Sequence, residues 1–427
     1  MRLVSETVYD VIGVGFGVSN IGLAIALEES GRAINSIFIE AGREAAWQPE
    51  MLLPGSDIQN SPHRDRITPV NPRSNYTFIN YLHIKGRLFE YFNLGRIHPF
   101  RSEYADYIKW CAKHFSSSVL YSARATSINV LHREREQLFV VSTDSGAKFL
   151  ARHVVLGTGR ERYIPSQFEP HLGRRVFHSD AFISSIHKAG VDGANRIAVV
   201  GSSQSAIEIV LDLRARLPDA QIYNFSRGFA YRLKDTSNFS YESFYPGFID
   251  FYYELGVESK QDVVSRLRSV NYGVADEDVI NQLYGAMYED RITGNERVNI
   301  LMNKDIVDVS SMGAQIEISF SDKYSGELDR AGFDYVVLAT GFIDYPLADS
   351  DASCIPLLSG VIEQRRTLGP GVNRDYSVKG VAGSSQECGR IYLNGLCEMS
   401  HGFGDAGSIS SVSIRCDSIA KSIISRA

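Results

Sequence analysis

The stretch YDVIGVGFGVSNIGLAIALEES, residues 9–30, changes its hydrophobic period partway along. Val11, Ile12 and Val14 read as a buried strand, three glycines interrupt, and apolar residues then recur at helical spacing from Ile21 onward. SIFIEAG, residues 36–42, is a second strand that ends in Glu40. The order predicted is strand, tight turn, helix, strand, acid. In a dinucleotide site of this kind Gly13 makes the turn and Gly15 lets backbone approach a pyrophosphate. Gly17, Ser19 and Asn20 open the helix, whose unpaired N–H groups and positive dipole end attract phosphate. Glu40 would accept hydrogen bonds from ribose hydroxyls. A full G-x-G-x-x-G needs glycine at position 18, where the chain has Val18, with Gly17 one place early. The bland alternative is an ordinary strand-to-helix turn; the placement of Glu40 favours the dinucleotide.

The same logic returns in NRIAVVGSSQSAIEIVLDLRARLPDAQIYNFSRGFAYRLKD, residues 195–235. Gly201, Ser202, Gln204 and Ser205 form the turn and helix start, and Ser203 occupies a position that is usually glycine. The second strand leads into Ser226, Arg227, Arg232 and Lys234 in place of an acid. Guanidinium groups bind phosphate bidentately, so this loop suits a 2′-phosphate and predicts NADPH over NADH. A solvated basic loop is the competing reading.

ARHVVLGTGRERYIP (151–165) and FDYVVLATGFIDYP (333–346) each run from a strand into a T-G turn and then a proline. Such turns, the second carrying Thr340 and Gly341, mark crossings between two nucleotide domains. The fold expected is α/β, with two Rossmann-like domains: residues 1–165 and 335–427 bind FAD, and 166–334 bind NADPH. An aromatic, helical insertion at about 235–295 is assigned to the substrate side.

With 427 residues, 44% of them hydrophobic, the chain can bury more than one core. A formal net charge of -6 gives no general attraction to nucleic acid or anionic lipid. No apolar run approaches the ~20 residues of a membrane helix. The N-terminal residues lack the zones of a signal peptide. Cys111, Cys354, Cys388, Cys397 and Cys416 are scattered, without a metal-type pattern, and fit buried free thiols in a reducing cytoplasm. No metal site is expected.

Several flavoprotein classes share two Rossmann units. Disulfide reductases need a redox-active cysteine pair, which is absent. Baeyer–Villiger monooxygenases carry F-x-G-x-x-x-H-x-x-x-W; RRVFHSDAFISS keeps Phe177, His178 and Ser179 but lacks the tryptophan. GVGFGVSN, FIEAGREAAWQPEMLL, DIQNSPHRDRITPVNPRSNYTFINYL, SVNYGVADEDVI, LATGFIDYP and EMSHGFGDAGSISSVSIR follow one another in a specific order. From Tyr9 to about Ser422 the chain resembles the ornithine and lysine N-hydroxylating monooxygenases of siderophore biosynthesis.

That resemblance implies that NADPH reduces FAD, that a flavin hydroperoxide forms with O2, and that a substrate amine takes its distal oxygen. It places Trp47 and Gln59 at the isoalloxazine ring, His401 in a segment closing over the flavin, and Asn271 and Ser410 against the substrate. It also implies a homo-oligomer, commonly a tetramer. Only a neutral amine can react, so the pocket must desolvate it and exclude water.

QNSPHRDRIT, residues 59–68, departs from the family pattern. Arg64 replaces a lysine that pairs with the substrate carboxylate, and His63 and Arg66 replace apolar residues. A second family asparagine falls near Tyr241 or Asn238. If His63 and Arg66 face solvent, the expected substrate is ornithine or lysine. If one faces inward, two cations favour an acidic amine such as aspartate, and strand-like alternation would send Arg64 and Arg66 the same way. A flavin-binding sensor that has lost oxygenation is the alternative of another class.

Overall fold

The computed structural model describes residues 7–133, 136–190, 193–343, 355–362, 371–381, 389–405 and 408–426. Cys354 and Cys388, and the end of the second crossing from 344, lie outside them. The three described cysteines, Cys111, Cys397 and Cys416, are free and buried. No helix among the described residues is long and apolar enough to cross a membrane.

Two sheets organise the chain. The first runs Val119–Leu120, Ser36–Ile39, Val8–Val14, Lys148–Leu156, Glu136–Thr143 and Ala125–Arg133, and Ile391–Leu393 joins Lys148–Leu156 in parallel. The second runs Val298–Leu301, Gln221–Phe225, Arg196–Val200, Tyr335–Leu338 and Val176–His178, all parallel. Strands buried on both faces need unbroken apolar runs, and Arg196–Val200 and Tyr335–Leu338 supply them. Tyr335–Leu338 belongs to the second sheet, so a domain boundary at 334 cuts that lobe one strand too early. The apolar pattern before a T-G turn marks a crossing; it does not say which sheet the strand enters.

The expected insertion also divides. Its first part holds the short helices Asn238–Tyr241, Pro246–Glu254 and Val257–Leu267, with Phe244 between the first two. Helix Glu277–Thr293 packs on Gln204–Arg216 and is the crossover that returns the chain to parallel strand Val298–Leu301.

The two lobes repeat one backbone device. Gly15 N donates to Ile39 O at 2.8 Å, and Gly201 N donates to Phe225 O at 3.0 Å. Gly157 N then donates to Val14 O, and Ala339 N to Val200 O, both at 2.9 Å. Each turn glycine is thus clamped between the neighbouring strand end and a crossing. A Cβ on Gly15 would meet Gly157 O at 2.6 Å, and one on Gly201 would meet Ala339 O at 2.3 Å. Both have positive φ, +84° and +140°. Gly13 lies in the strand itself, where a Cβ would fall 2.2 Å from the Phe38 ring; it makes room for that ring and Gly15 makes the turn.

Val18 needs no glycine because it is the first residue of helix Val18–Glu29, with Gly17 as N-cap. The close helix packing that a third glycine would serve is provided by Gly22, 3.1 Å by its built Cβ from Cys416 Sγ. Ser203 likewise is the N-cap of Gln204–Arg216 with ordinary backbone angles.

Gly201→Ala should therefore cost about 2 kcal/mol or more, from strain plus the carbonyl clash. Chemical denaturation measures it, and a loss below about 0.5 kcal/mol would contradict the clamp.

Candidate active site between the two lobes

A cavity of about 930 Å3 lies between the lobes and is lined from both. At one end stand Gly15, Gly17, Ser19 and Glu40. Helix Val18–Glu29 has no side chain bonded at its N-cap, and space at Gly17 is open within 4 Å of a built Cβ. Its first amides are left for a ligand. Glu40 accepts from Phe16 N and Gly42 N, both at 2.6 Å, which fixes the carboxylate at the cavity edge. Arg415, buried, bonds Ser19 Oγ at 3.1 Å, Asn394 Oδ1 at 2.7 Å and Asp405 Oδ1 at 2.9 Å. It anchors the C-terminal helix Val412–Ile424 to the first glycine turn. Sequence reasoning missed it, since a lone arginine in an apolar helix carries no motif.

The middle of the cavity holds Trp47, whose ring meets Tyr104 edge-on at 5.3 Å, and Gln59. Gln59 has a left-handed backbone, φ 52°. Its Nε2 donates to Asp276 Oδ2 at 2.8 Å, and its carbonyl accepts from Lys234 Nζ at 3.2 Å. Burial pushes the Lys234 ammonium pKa below its ordinary value and the Asp57 carboxyl above its own.

The far end holds Arg64, Tyr241, Phe244, Asn271 and Ser410. The Arg64 guanidinium lies 5.4 Å from the Tyr241 ring centre, 6.0 Å from Phe244 and 5.9 Å from Tyr245. Among the described residues it makes no ion pair. Ser410 Oγ donates to Asn60 Oδ1 at 3.1 Å, leaving Asn60 Nδ2 a buried donor without a partner. Asn271 Nδ2 is another. Buried donors are almost always satisfied, so two orphans facing one cavity point to a ligand. Of the two candidates for the second family asparagine position, Tyr241 lines the cavity and Asn238 is exposed.

Gln204 and Ser205 bring the second lobe's helix start to the cavity. Gly201 and Ser202 lie just behind in the turn, and Arg227 is exposed beyond Gln221–Phe225. Lys234 does not join Arg227 at that outer edge. It lines the inner cavity, because Leu233 bridges to Ala275 and carries Lys234 inward. Thr340 and Gly341 bond the other crossing: Thr340 Oγ1 donates to Tyr163 O, and Gly341 O accepts from Tyr163 N at 2.9 Å and meets His178 Nε2 at 3.0 Å.

Asn20 is turned inward, donating to Gly15 O at 2.7 Å and accepting from Asn394 Nδ2 at 3.0 Å; it braces the turn. His401 is outside the cavity lining. It is 1% exposed, stacks on Tyr376 at 4.0 Å, and is bonded by Ser400 Oγ and Arg374 O. The resemblance places it in a segment closing over the flavin, but its ring packs in the core away from the cavity lining.

His63 is exposed and absent from the lining, and Arg66, although buried, stands behind it. Arg66 Nη2 donates to Tyr104 OH at 2.7 Å and Ile409 O at 3.4 Å. The strand-like alternation expected here fails because residues 61–70 form turns, organised by buried Asp65, which accepts from Ile67 N, Thr68 N and Phe78 N.

Two glycine turns opening onto one cavity, joined by paired crossings, define a two-dinucleotide flavoprotein. A model of the L-lysine 6-monooxygenase/L-ornithine 5-monooxygenase family matches residues 7–344. An L-ornithine N(5)-monooxygenase of Burkholderia cepacia is 36% identical over 93% of this chain and 90% of its own length. One from Ajellomyces capsulatus is 31% identical over 97% and 90%. Among solved structures, a Kutzneria ornithine N-hydroxylase with reduced FAD, NADP+ and L-ornithine superposes with TM-score 0.90 at 29% identity, covering 98% of this chain and all of that one. The chain belongs to the L-lysine 6-monooxygenase/L-ornithine 5-monooxygenase family. It is a flavin-dependent N-hydroxylating monooxygenase that uses FAD and NADPH.

His401 and His153 are both pushed down to about 4 by burial. The native state refuses protons that the unfolded chain takes up near 6.5, so this stability is complete above about pH 6.5 and is lost as pH falls toward 4. At pH 5 each should cost about 2 kcal/mol relative to pH 7.5. Denaturant titrations of wild type and His401→Gln should show a weaker pH dependence in the variant; identical slopes would contradict a buried neutral imidazole.

Proposed function

We propose that this enzyme hydroxylates the terminal primary amine of a basic α-amino acid, L-ornithine foremost, and that Arg64 holds the substrate carboxylate. The observation that carries this is the Arg64 guanidinium, which faces the cavity without an acidic partner among the described residues and is supported on aromatic rings. A half-buried cation with an open face toward a cavity is poised for an anion, and a guanidinium fork takes both carboxylate oxygens. The relatives named above act on ornithine, which supports the same choice.

Bound FAD, reduced by NADPH, would supply the two electrons that activate O2, one of whose oxygen atoms goes to the amine and the other to water. The protein's part is to bind, orient and dehydrate. A free alkylammonium has a pKa of about 10.4 and reacts only as the neutral amine. Tyr241 and Phe244, from the helical insertion, narrow the substrate end and lower its effective dielectric, which favours the uncharged amine. The unpartnered Asn60 and Asn271 amides supply donors for further substrate or cofactor oxygens.

The acidic-substrate alternative needs a second free cation. Its two candidates stand outside the lining, and the lysine that does line the cavity, Lys234, is engaged by Gln59 O and lies 3.9 Å from Asp276. A basic amino acid is therefore the better reading.

Purified holoenzyme with NADPH and O2, offered ornithine, lysine, simple diamines and aspartate, should form hydroxylamine with ornithine or lysine. Arg64→Ala should raise KM for that substrate about 100-fold, the loss of one bidentate ion pair, while flavin reduction by NADPH changes less than about threefold. Tight coupling with aspartate alone, or an unchanged KM, would refute the assignment.

A further inference from the structure

Gln59 and Asp276 both depart from their local preferences in order to meet. Asp276 is the N-cap of helix Glu277–Thr293, a position where aspartate ordinarily bonds the first amides of its own helix, yet no such bond is made. Its Oδ2 accepts from Gln59 Nε2 instead, across 217 residues of sequence. Gln59 reaches that contact from a left-handed backbone, which few side chains other than asparagine and aspartate adopt readily. Two local costs incurred at one contact indicate that the contact itself is required.

The contact closes a circuit that passes through both lobes. Asp276 N donates to Gln204 Oε1 at 3.0 Å, and Gln204 Nε2 donates to Glu208 Oε1 at 3.0 Å. Glu208 takes both Nη atoms of Arg101 at 2.9 Å, with both side chains more than nine-tenths buried. Arg101 donates to Asp57 O at 3.1 Å, and Asp57 Oδ1 accepts from Gln59 N at 3.0 Å. Gln204 is also the first residue of the second lobe's nucleotide-facing helix.

We infer that Asp276 is a positioning residue that fixes which end of the Gln59 carboxamide faces the reacting flavin and amine. An amide can turn end for end at almost no steric cost, so only its partner sets the orientation. A carboxylate accepts and does not donate, so Asp276 takes an N–H of Gln59 and leaves Oε1 directed away from it. Gln59 Oε1 then serves as an acceptor in the cavity, available to an amine N–H. Among the described residues Asp276 Oδ1 is buried without a hydrogen bond and lies 3.9 Å from Lys234 Nζ. This inference rests on the proposed function for the identity of the amine, but not for the orientation of Gln59.

The experiment compares Asp276→Asn, Gln59→Ala and the double variant with wild type, all as FAD-loaded holoenzyme. Asparagine keeps the shape of Asp276 but can donate as well as accept, so both orientations of Gln59 become available. Hydroxylamine formed per NADPH consumed should fall about threefold or more in Asp276→Asn. FAD content and the rate of flavin reduction should stay within about twofold of wild type. In the Gln59→Ala background the Asp276→Asn change should have no further effect, because nothing is left to orient. Losses that multiply in the double variant, or full coupling in Asp276→Asn, would overturn the inference.

A second readout needs no turnover. In protein labelled with 15N-glutamine, the side-chain NH2 pair that disappears in Gln59→Ala should shift in Asp276→Asn; an unmoved pair would overturn the inference even if the amine substrate were misassigned. Absence of hydroxylamine in wild type, with that pair shifted, would instead fault the proposed function.

Discussion

The site exists only because two lobes are held at a fixed separation, and the Arg101–Glu208 ion pair is the central tie. Arg101 stands on the first lobe's helix Arg101–Lys113 and Glu208 on the second lobe's helix Gln204–Arg216. The guanidinium also bonds Met51 O at 2.7 Å and Asp57 O, so the pair reaches the loop that carries Gln59. Burial alone would favour protonation of Glu208, and its pKa is raised despite the arginine beside it. Removing one partner of such a pair leaves a buried charge and costs about 3–5 kcal/mol, far more than an exposed bridge contributes. A pair of this kind is a means of fixing geometry more than a source of net stability.

Around that tie the cavity has three chemically distinct reaches. The first glycine turn and Glu40 suit a nucleotide, the middle carries Trp47 and Gln59, and the far end carries Arg64 with its aromatic support. An arginine at position 64 offers more than a positive charge. Its planar cation lies near rings that a compact ammonium would use less well, and its two parallel N–H donors restrict how a carboxylate docks. The segment that brings Tyr241 and Phe244 therefore shapes the apolar wall on which the Arg64 guanidinium rests.

The two nucleotide lobes were legible because strand, glycine turn and helix must follow one another within a few residues, and the apolar periods record it. The family was legible because several motifs fall in one order. Other features left little trace. Tyr335–Leu338 joins the second sheet by pairing with residues 138 and 160 positions away, which periodicity cannot specify. Lys234 looked like part of an outer basic loop until a bridge from Leu233 to Ala275 turned it inward. Arg66 faces neither solvent nor pocket but is buried behind the wall, because Asp65 folds its segment into turns. Gln59 could be named from the motif, whereas its partner Asp276 could not, since their contact spans 217 positions.

The central claim is that an amino acid is anchored by its carboxylate on Arg64 with its terminal nitrogen delivered to a flavin that lies between the lobes. A crystal structure of the holoenzyme with FAD, NADP+ and L-ornithine tests it most directly. The account predicts the flavin ring beside Trp47 and Gln59, the carboxylate on the Arg64 guanidinium and the terminal nitrogen turned toward the ring. An ornithine carboxylate bound away from Arg64, or a flavin ring outside this cavity, would contradict it.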